Sequence, residues 1–159
     1  MGLDMYLSTA DGAEAGYWRK ANAIHGWFVR ELADGVDECQ PIQVSKEDLL
    51  RLREACATAL TNRHQAVPVA ESSRSRSFEV QEGVNPLEQL YEMMKMETTL
   101  AVMEKQFEDE TDPLRPTAGF FFGGTEKDEW YYQDLEETIT IIDEALAGGE
   151  TKFVYQASW

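Results

Sequence analysis

The chain has 159 residues, is 43% hydrophobic and carries a net charge of −16 at neutral pH. That length supports one ordinary hydrophobic core, so a single domain over 1–159 is expected, with 67–113 as an inserted acidic loop-plus-helix segment. An acidic surface repels phosphate backbones, which argues against direct nucleic-acid binding, and no run nears the roughly 18 apolar residues of a membrane span.

Gly2 to Ser8 reads as a strand, because Leu3, Met5 and Leu7 alternate with Asp4 and Tyr6. The same residues lack the basic region and long apolar stretch of a signal peptide, and Tyr6 departs from the myristoylation pattern. A soluble, cytoplasmic chain is expected. Thr9 to Gly16 is small, polar and glycine-containing, hence a loop. Tyr17 to Ala33 reads as a helix with Trp18, Ala21, Ile24, His25, Phe28, Val29 and Leu32 on one broad face. Asn22 sits at the border of that face. Trp27 projects among polar residues, so it either packs against another element or contacts a partner. Asp34-Gly35 stops the helix.

Gln40 to Val44 is expected as a short edge strand with Pro41 at its start. Ser45-Lys46-Glu47-Asp48 resembles a capping box and opens a helix striped by Leu49, Leu52, Cys56, Ala59 and Leu60. Cys39 and Cys56 are too few and too isolated for a disulfide framework or a zinc site, and Cys56 on that stripe is expected as a buried free thiol.

From His64 to Gly83 the composition changes. The run Glu71 to Ser77 alternates serine and arginine and cannot bury enough apolar area to offset its ordering entropy, so 71–83 is expected to be mobile. Asn85-Pro86-Leu87-Glu88 starts a further helix, with Leu87, Leu90, Tyr91, Met94, Thr98 and Ala101 on one side, ending before Pro113. The charge follows this division: there are 10 acidic and 7 basic residues up to Ala66, net −3, and 20 against 7 from Val67 onward, net −13. Gly119 to Gly124 reads as a buried strand. Thr125 to Asp128 is a cap-like start for a last helix striped by Tyr131, Leu135, Thr138, Ile139, Ile142 and Leu146, closed by Gly148-Gly149. Lys152 to Trp159 is the final strand, with Phe153, Tyr155 and Ala157 on one face.

Short strands at both ends, separated by helices, point to an α+β fold: a small mixed or antiparallel sheet that includes both terminal strands, packed by about four helices. Pairing of the two terminal strands is expected.

All four tryptophans fall in three blocks, Tyr17–Phe28, Gly119–Tyr132 and Tyr155–Trp159. The words Met1–Leu7 (MGLDMYL), Tyr17–Phe28 (YWRKANAIHGWF), Gly35–Cys39, Pro116–Tyr131 (holding GFFFG and DEWY) and Tyr155–Trp159 (YQASW) resemble a family of small uncharacterised phage and prophage proteins. The resemblance implies a phage-associated accessory protein and carries no activity or catalytic assignment. Two departures stand out: Val67 to Pro113 is longer than the family pattern, and Gly124 replaces an expected serine.

Among groups that carry chemistry, His25 admits two readings, a hydrogen-bonded core histidine or a general base with Asn22 one turn away. Asp128, with Glu129, is the acid that would complete a catalytic pair with His25, although Asp128 also suits a helix start. Gly119–Gly124 lacks the endings of phosphate-binding loops. Arg19 and Lys20, beside Tyr17, Trp18 and Trp27, form the best nucleotide-type site, completed by Asn22, His25 and Trp130. The competing reading pairs Arg19 and Lys20 with Asp4, Asp128 or Asp134. No metal and no cofactor is expected. The leading expectation is a non-enzymatic accessory protein that binds, and antagonises, a host or defence protein. A nucleotide-type small-molecule binder is second and a small hydrolase or transferase third.

Overall fold

The computed structural model describes residues 2–65, 85–119 and 121–159. In chain order it contains β1 (Asp4–Thr9), β2 (Glu14–Arg19), α1 (Asn22–Leu32), β3 (Ile42–Ser45), α2 (Lys46–Gln65), α3 (Pro86–Thr111), α4 (Glu129–Ala147) and β4 (Lys152–Ser158). The strands form one antiparallel sheet in the order β2-β1-β4-β3. The fold is α+β, and β1 and β4 pair at the sheet's centre. The chain divides into two compact units, Met1–Ala66 with Pro113–Trp159, and Val67–Asp112, which contains α3. The expected mobile stretch 71–83 and the side chain of His64 lie outside the described residues.

The sheet buries one face, with alternation clearest in Met5 to Leu7 of β1 and along β4. Met5 stands opposite Trp18 on one side and Ala157 on the other, and Leu7 stands opposite Tyr155. These residues, with Phe153, Ile42 and Val44, are buried in a core shared with α1, α2 and α4. The outward residues include Tyr6 and Tyr17, whose rings pair at 5.3 Å. Gly16 of β2 lets α4 come close, because a Cβ there would strike the Ile141 side chain. All residues from Asn22 to Val29 of α1 are buried, the pattern of a helix covered on every side.

The helix ends follow the sequence. Ser45 and Asp48 form the capping box: the Ser45 amide donates to the Asp48 carboxylate at 2.9 Å, and Ser45 Oγ accepts from the Asp48 amide at 3.2 Å. Asn85 Oδ1 accepts from the Leu87 amide at 3.1 Å at the start of α3. Gly148 caps α4, and Gly149 follows with a left-handed backbone.

Two elements differ from expectation. Tyr17 to Arg19 belong to β2, not to a helix, so α1 begins five residues later at Asn22. Trp18 fits both periods: it points into the core from β2, and it also lies in helical phase with Ala21 and His25. Pairing with β1, at Met5 opposite Trp18, decides in favour of the strand. The second difference is Gly119–Gly124, whose described residues form turn and loop instead of a buried strand. Their backbone groups find partners outside any ladder, as described below.

Cys56 is fully buried and Cys39 partly so. Burial pushes the Cys56 thiol up to about 12, which removes the reactive thiolate at neutral pH. Titration with a thiol reagent at pH 7.5 should therefore label at most Cys39 in the native protein and both cysteines after denaturation. Rapid native labelling of Cys56 would contradict this packing.

Candidate functional site

Lys20 adopts a left-handed backbone (φ 58°), which turns the chain from β2 into α1. Asn22, Gly26 and Arg30 then follow at intervals of four and make one row along α1. The loop from Pro113 to Gly124 lies along that row. Asn22 Nδ2 donates to the carbonyls of Phe122 (3.1 Å) and Gly124 (2.7 Å), while its Oδ1 accepts from the Thr117 amide (3.1 Å). Arg30 donates to Thr117 Oγ1 (3.1 Å) and to the Pro113 carbonyl (3.0 Å). Gly26, between them, must lack a side chain, because its Cβ would fall on Thr117 Oγ1. Tyr131 Oη donates to the Leu114 carbonyl at 2.9 Å, and the Leu3 amide to that of Phe121 at 3.3 Å. Side chains thus satisfy backbone groups that a strand would have paired with a neighbour.

A cleft opens on either side of this loop. The first, of about 490 Å³, has walls that include His25, Val29, Arg30, Asp37, Phe122 and Trp159. His25 is only 1% exposed, and both ring nitrogens are engaged. Nε2 lies 2.9 Å from Asp37 Oδ2 and Nδ1 lies 2.8 Å from Tyr155 Oη. A carboxylate only accepts, so Nε2 carries the hydrogen; in the neutral tautomer Nδ1 then accepts from the tyrosine. Asp37 also accepts from Trp159 Nε1 at 3.3 Å. Burial, then the charges of Asp37 and Cys39, push the Tyr155 hydroxyl well above its ordinary range. The ring of Tyr155 stacks on Phe28 at 3.9 Å. This chain ties α1, the α1–β3 connection and β4 together, and it leaves His25 no lone pair for a substrate.

The second cleft, of about 350 Å³, gathers Arg19, Lys20, Asn22, Asp128, Trp130 and Asp134, with Gly123, Gly124 and Glu126 among its walls. Of the eight residues expected at a nucleotide-type site, Arg19, Lys20, Asn22 and Trp130 meet here. The other four lie elsewhere. His25 belongs to the first cleft. Tyr17 lies on the outer sheet face, donating to Asp4 at 2.6 Å. Trp18 is in the core, its indole N–H on Thr138 Oγ1 at 2.9 Å. Trp27 is buried against Phe28, with the Arg51 guanidinium of α2 over its ring. Arg19 lies 4.0 Å from Asp4. Asp128 caps α4 through the Tyr131 amide at 3.0 Å, and Glu129 pairs with Arg63 at 2.5 Å. His25 and Asp128 therefore line different clefts. Among the described residues no group of three or more His, Cys, Asp or Glu side chains is placed to hold a metal ion.

Sequence reasoning did not single out Asp37 or Tyr155. Asp37 reaches His25 through a turn in which Asp34, Gly35 and Cys39 all take positive φ, and only Gly35 announces that in its residue type. Tyr155 shares a strand face with Phe153 and Ala157, but nothing local tells a core tyrosine from one aimed at a histidine.

Comparison with protein-family models, curated proteins and solved structures returned no match. The molecule is described by its architecture: a two-layer α+β unit with two clefts flanking one clamped loop, and a second unit containing a long acidic helix.

Asp134 makes the second cleft sensitive to pH. Burial first, then the charges of Glu137 and Asp128, raise its carboxyl from 3.8 to about 6. The folded value exceeds the unfolded one, so the native state keeps a proton that the unfolded chain releases. This contribution to stability is complete below about pH 4 and is lost as pH rises through about 6. Asp134→Asn should accordingly melt higher than the parent at pH 7, with the difference shrinking towards zero by pH 4. Equal differences at both pH values would refute the assignment.

Proposed function

We propose that this is a phage-associated accessory protein that acts by binding, and that its target is a host or defence protein with a basic surface. The observation that carries the proposal is the outer face of α4. Glu129, Gln133, Glu136, Glu137, Thr140, Asp143 and Glu144 recur at helical spacing and are all exposed, with Trp130 beside them at 73% exposure. Arg63 and Arg53 pair with Glu129 and Asp143; the ridge remains strongly acidic. A solvent-facing tryptophan beside such a ridge has the character of an interface anchor, since tryptophan is prominent among residues that dominate binding energy. The engaged nitrogens of His25 favour binding over acid–base catalysis.

A nucleotide-type ligand is the second reading, favoured by the meeting of Arg19, Lys20 and Trp130 in one cleft. Glu126, Asp128 and Asp134 in the same walls oppose a phosphate there. A thermal-shift panel of linear and cyclic nucleotides separates the two readings. Ligand at one hundred times its dissociation constant adds roughly 2.7 kcal/mol to stability, and a hit abolished by Arg19→Ala would put the nucleotide first.

The leading reading is tested by capture from bacterial lysate on the immobilised protein. A basic protein should be enriched, and Trp130→Ala should weaken its binding roughly 30-fold while leaving the melting temperature unchanged, the scale of a hot-spot residue. No enriched protein, or capture indifferent to Trp130, would reject it.

A further inference from the structure

The second unit carries an apolar surface that the α4 ridge does not account for. The helix α3 is capped by Asn85, and its first two turns place Leu87, Leu90, Tyr91 and Met94 at i, i+3, i+4 and i+7. That spacing puts all four on one stripe. Each is between 45% and 74% exposed. Glu88 and Glu92, both exposed, run along one side of the stripe. The helix as a whole has seven acidic residues against two lysines, Lys95 and Lys105. Four of the chain's six methionines lie on it, Met93, Met94, Met96 and Met103, all exposed.

We infer that the Leu87–Leu90–Tyr91–Met94 stripe docks a basic amphipathic helix of a protein partner. Positions i, i+3, i+4 and i+7 are the anchors through which one helix packs on another apolar face. Of the four methionines only Met94 lies on the stripe, where its flexible, polarisable side chain can adapt to different partner side chains. Charge chooses among occupants. A second copy of this chain would bring another net −16 and another acidic helix against the first, and like charges facing each other destabilise a helix pair. Lysines or arginines flanking a partner's apolar stripe would instead meet Glu88 and Glu92, the arrangement by which flanking charges select partners in paired helices. The inference rests on the reading of a basic protein target and names the surface and the secondary structure involved.

The test uses the full-length protein and a synthetic amphipathic peptide about two heptads long, with leucines on one face and lysines on the other. Binding is followed by calorimetry at physiological and at high salt. Leu90→Glu/Met94→Glu adds two negative charges to the stripe, so the sign of its effect separates two mechanisms. Docking through the apolar stripe predicts at least about tenfold weaker binding, whereas attraction by charge alone predicts tighter binding. An uncharged variant, Leu90→Gln/Met94→Gln, should weaken binding by a similar factor, and both variants should keep the parent's helix content and melting temperature.

The inference is overturned if the parent fails to bind the peptide, if the acidic variant binds as well or better, or if either variant melts markedly lower. It is also overturned if sedimentation shows a parent dimer that the variants dissolve, since the stripe's occupant is then a second copy. Lysate capture that survives both variants but not Trp130→Ala would reject the stripe and leave the proposed function standing. Loss of capture in no variant, alongside stripe-dependent peptide docking, would do the reverse.

Discussion

The side-chain amide of Asn22 holds the loop from Thr117 to Gly124 in place, and both clefts are bounded by that loop. Three hydrogen bonds from one buried residue reach backbone groups near both ends of the segment. Each is worth only about 1 kcal/mol net, but leaving the buried Phe122 carbonyl unpaired would cost roughly 1–3 kcal/mol, so that bond contributes chiefly through what its loss would leave unsatisfied. The clamp works because α1 offers a smooth row to the loop, with glycine at position 26 where any side chain would collide. Phe122 is set in the process, its ring edge-on to His25 at 5.2 Å and to Trp159 at 6.0 Å.

Much of the rest follows from that clamp and from the sheet. With β1 and β4 paired at the centre, Tyr155 comes beneath α1 and meets His25, and Asp37 closes the chain of hydrogen bonds from the far side. Aromatic residues that looked like a binding surface in sequence divide between two tasks. Trp18, Trp27 and Phe28 build the core under the sheet, whereas Trp130 and Trp159 remain open to solvent at the clefts. Acidic side chains are exposed along the outer side of α4 and at Glu88, Glu92 and Glu110 of α3.

The terminal strands β1 and β4 and the helix starts set by caps were legible because each depends on local signals. Alternation in Leu3 to Leu7 and in Phe153 to Ala157 fixes which face is buried, and Ser45-Asp48, Asn85 and Asp128 mark helix starts through their own side-chain oxygens. The hairpin strand β2 was not legible, since Trp18 satisfies both a two-residue and a helical period and only pairing with β1 decides. Gly119–Gly124 misled for a related reason. Three phenylalanines between glycines carry the composition of a buried strand, but the partners of its backbone come from Asn22, about a hundred residues earlier. Of the expected ligand residues, Arg19, Lys20, Asn22 and Trp130 line one cleft. Tyr17, Trp18 and Trp27 point elsewhere, as helix phase alone places residues on faces of a single element and says nothing of how elements dock.

The most direct measurement of this account is amide hydrogen exchange at Thr117 in Asn22→Ala, residue by residue against the parent. The Thr117 amide donates to Asn22 Oδ1, so its protection should fall sharply in the variant while the amides of β4, paired within the sheet, stay protected. Unchanged protection at Thr117 would show that the loop is held by something other than Asn22, and the two clefts would then need another explanation.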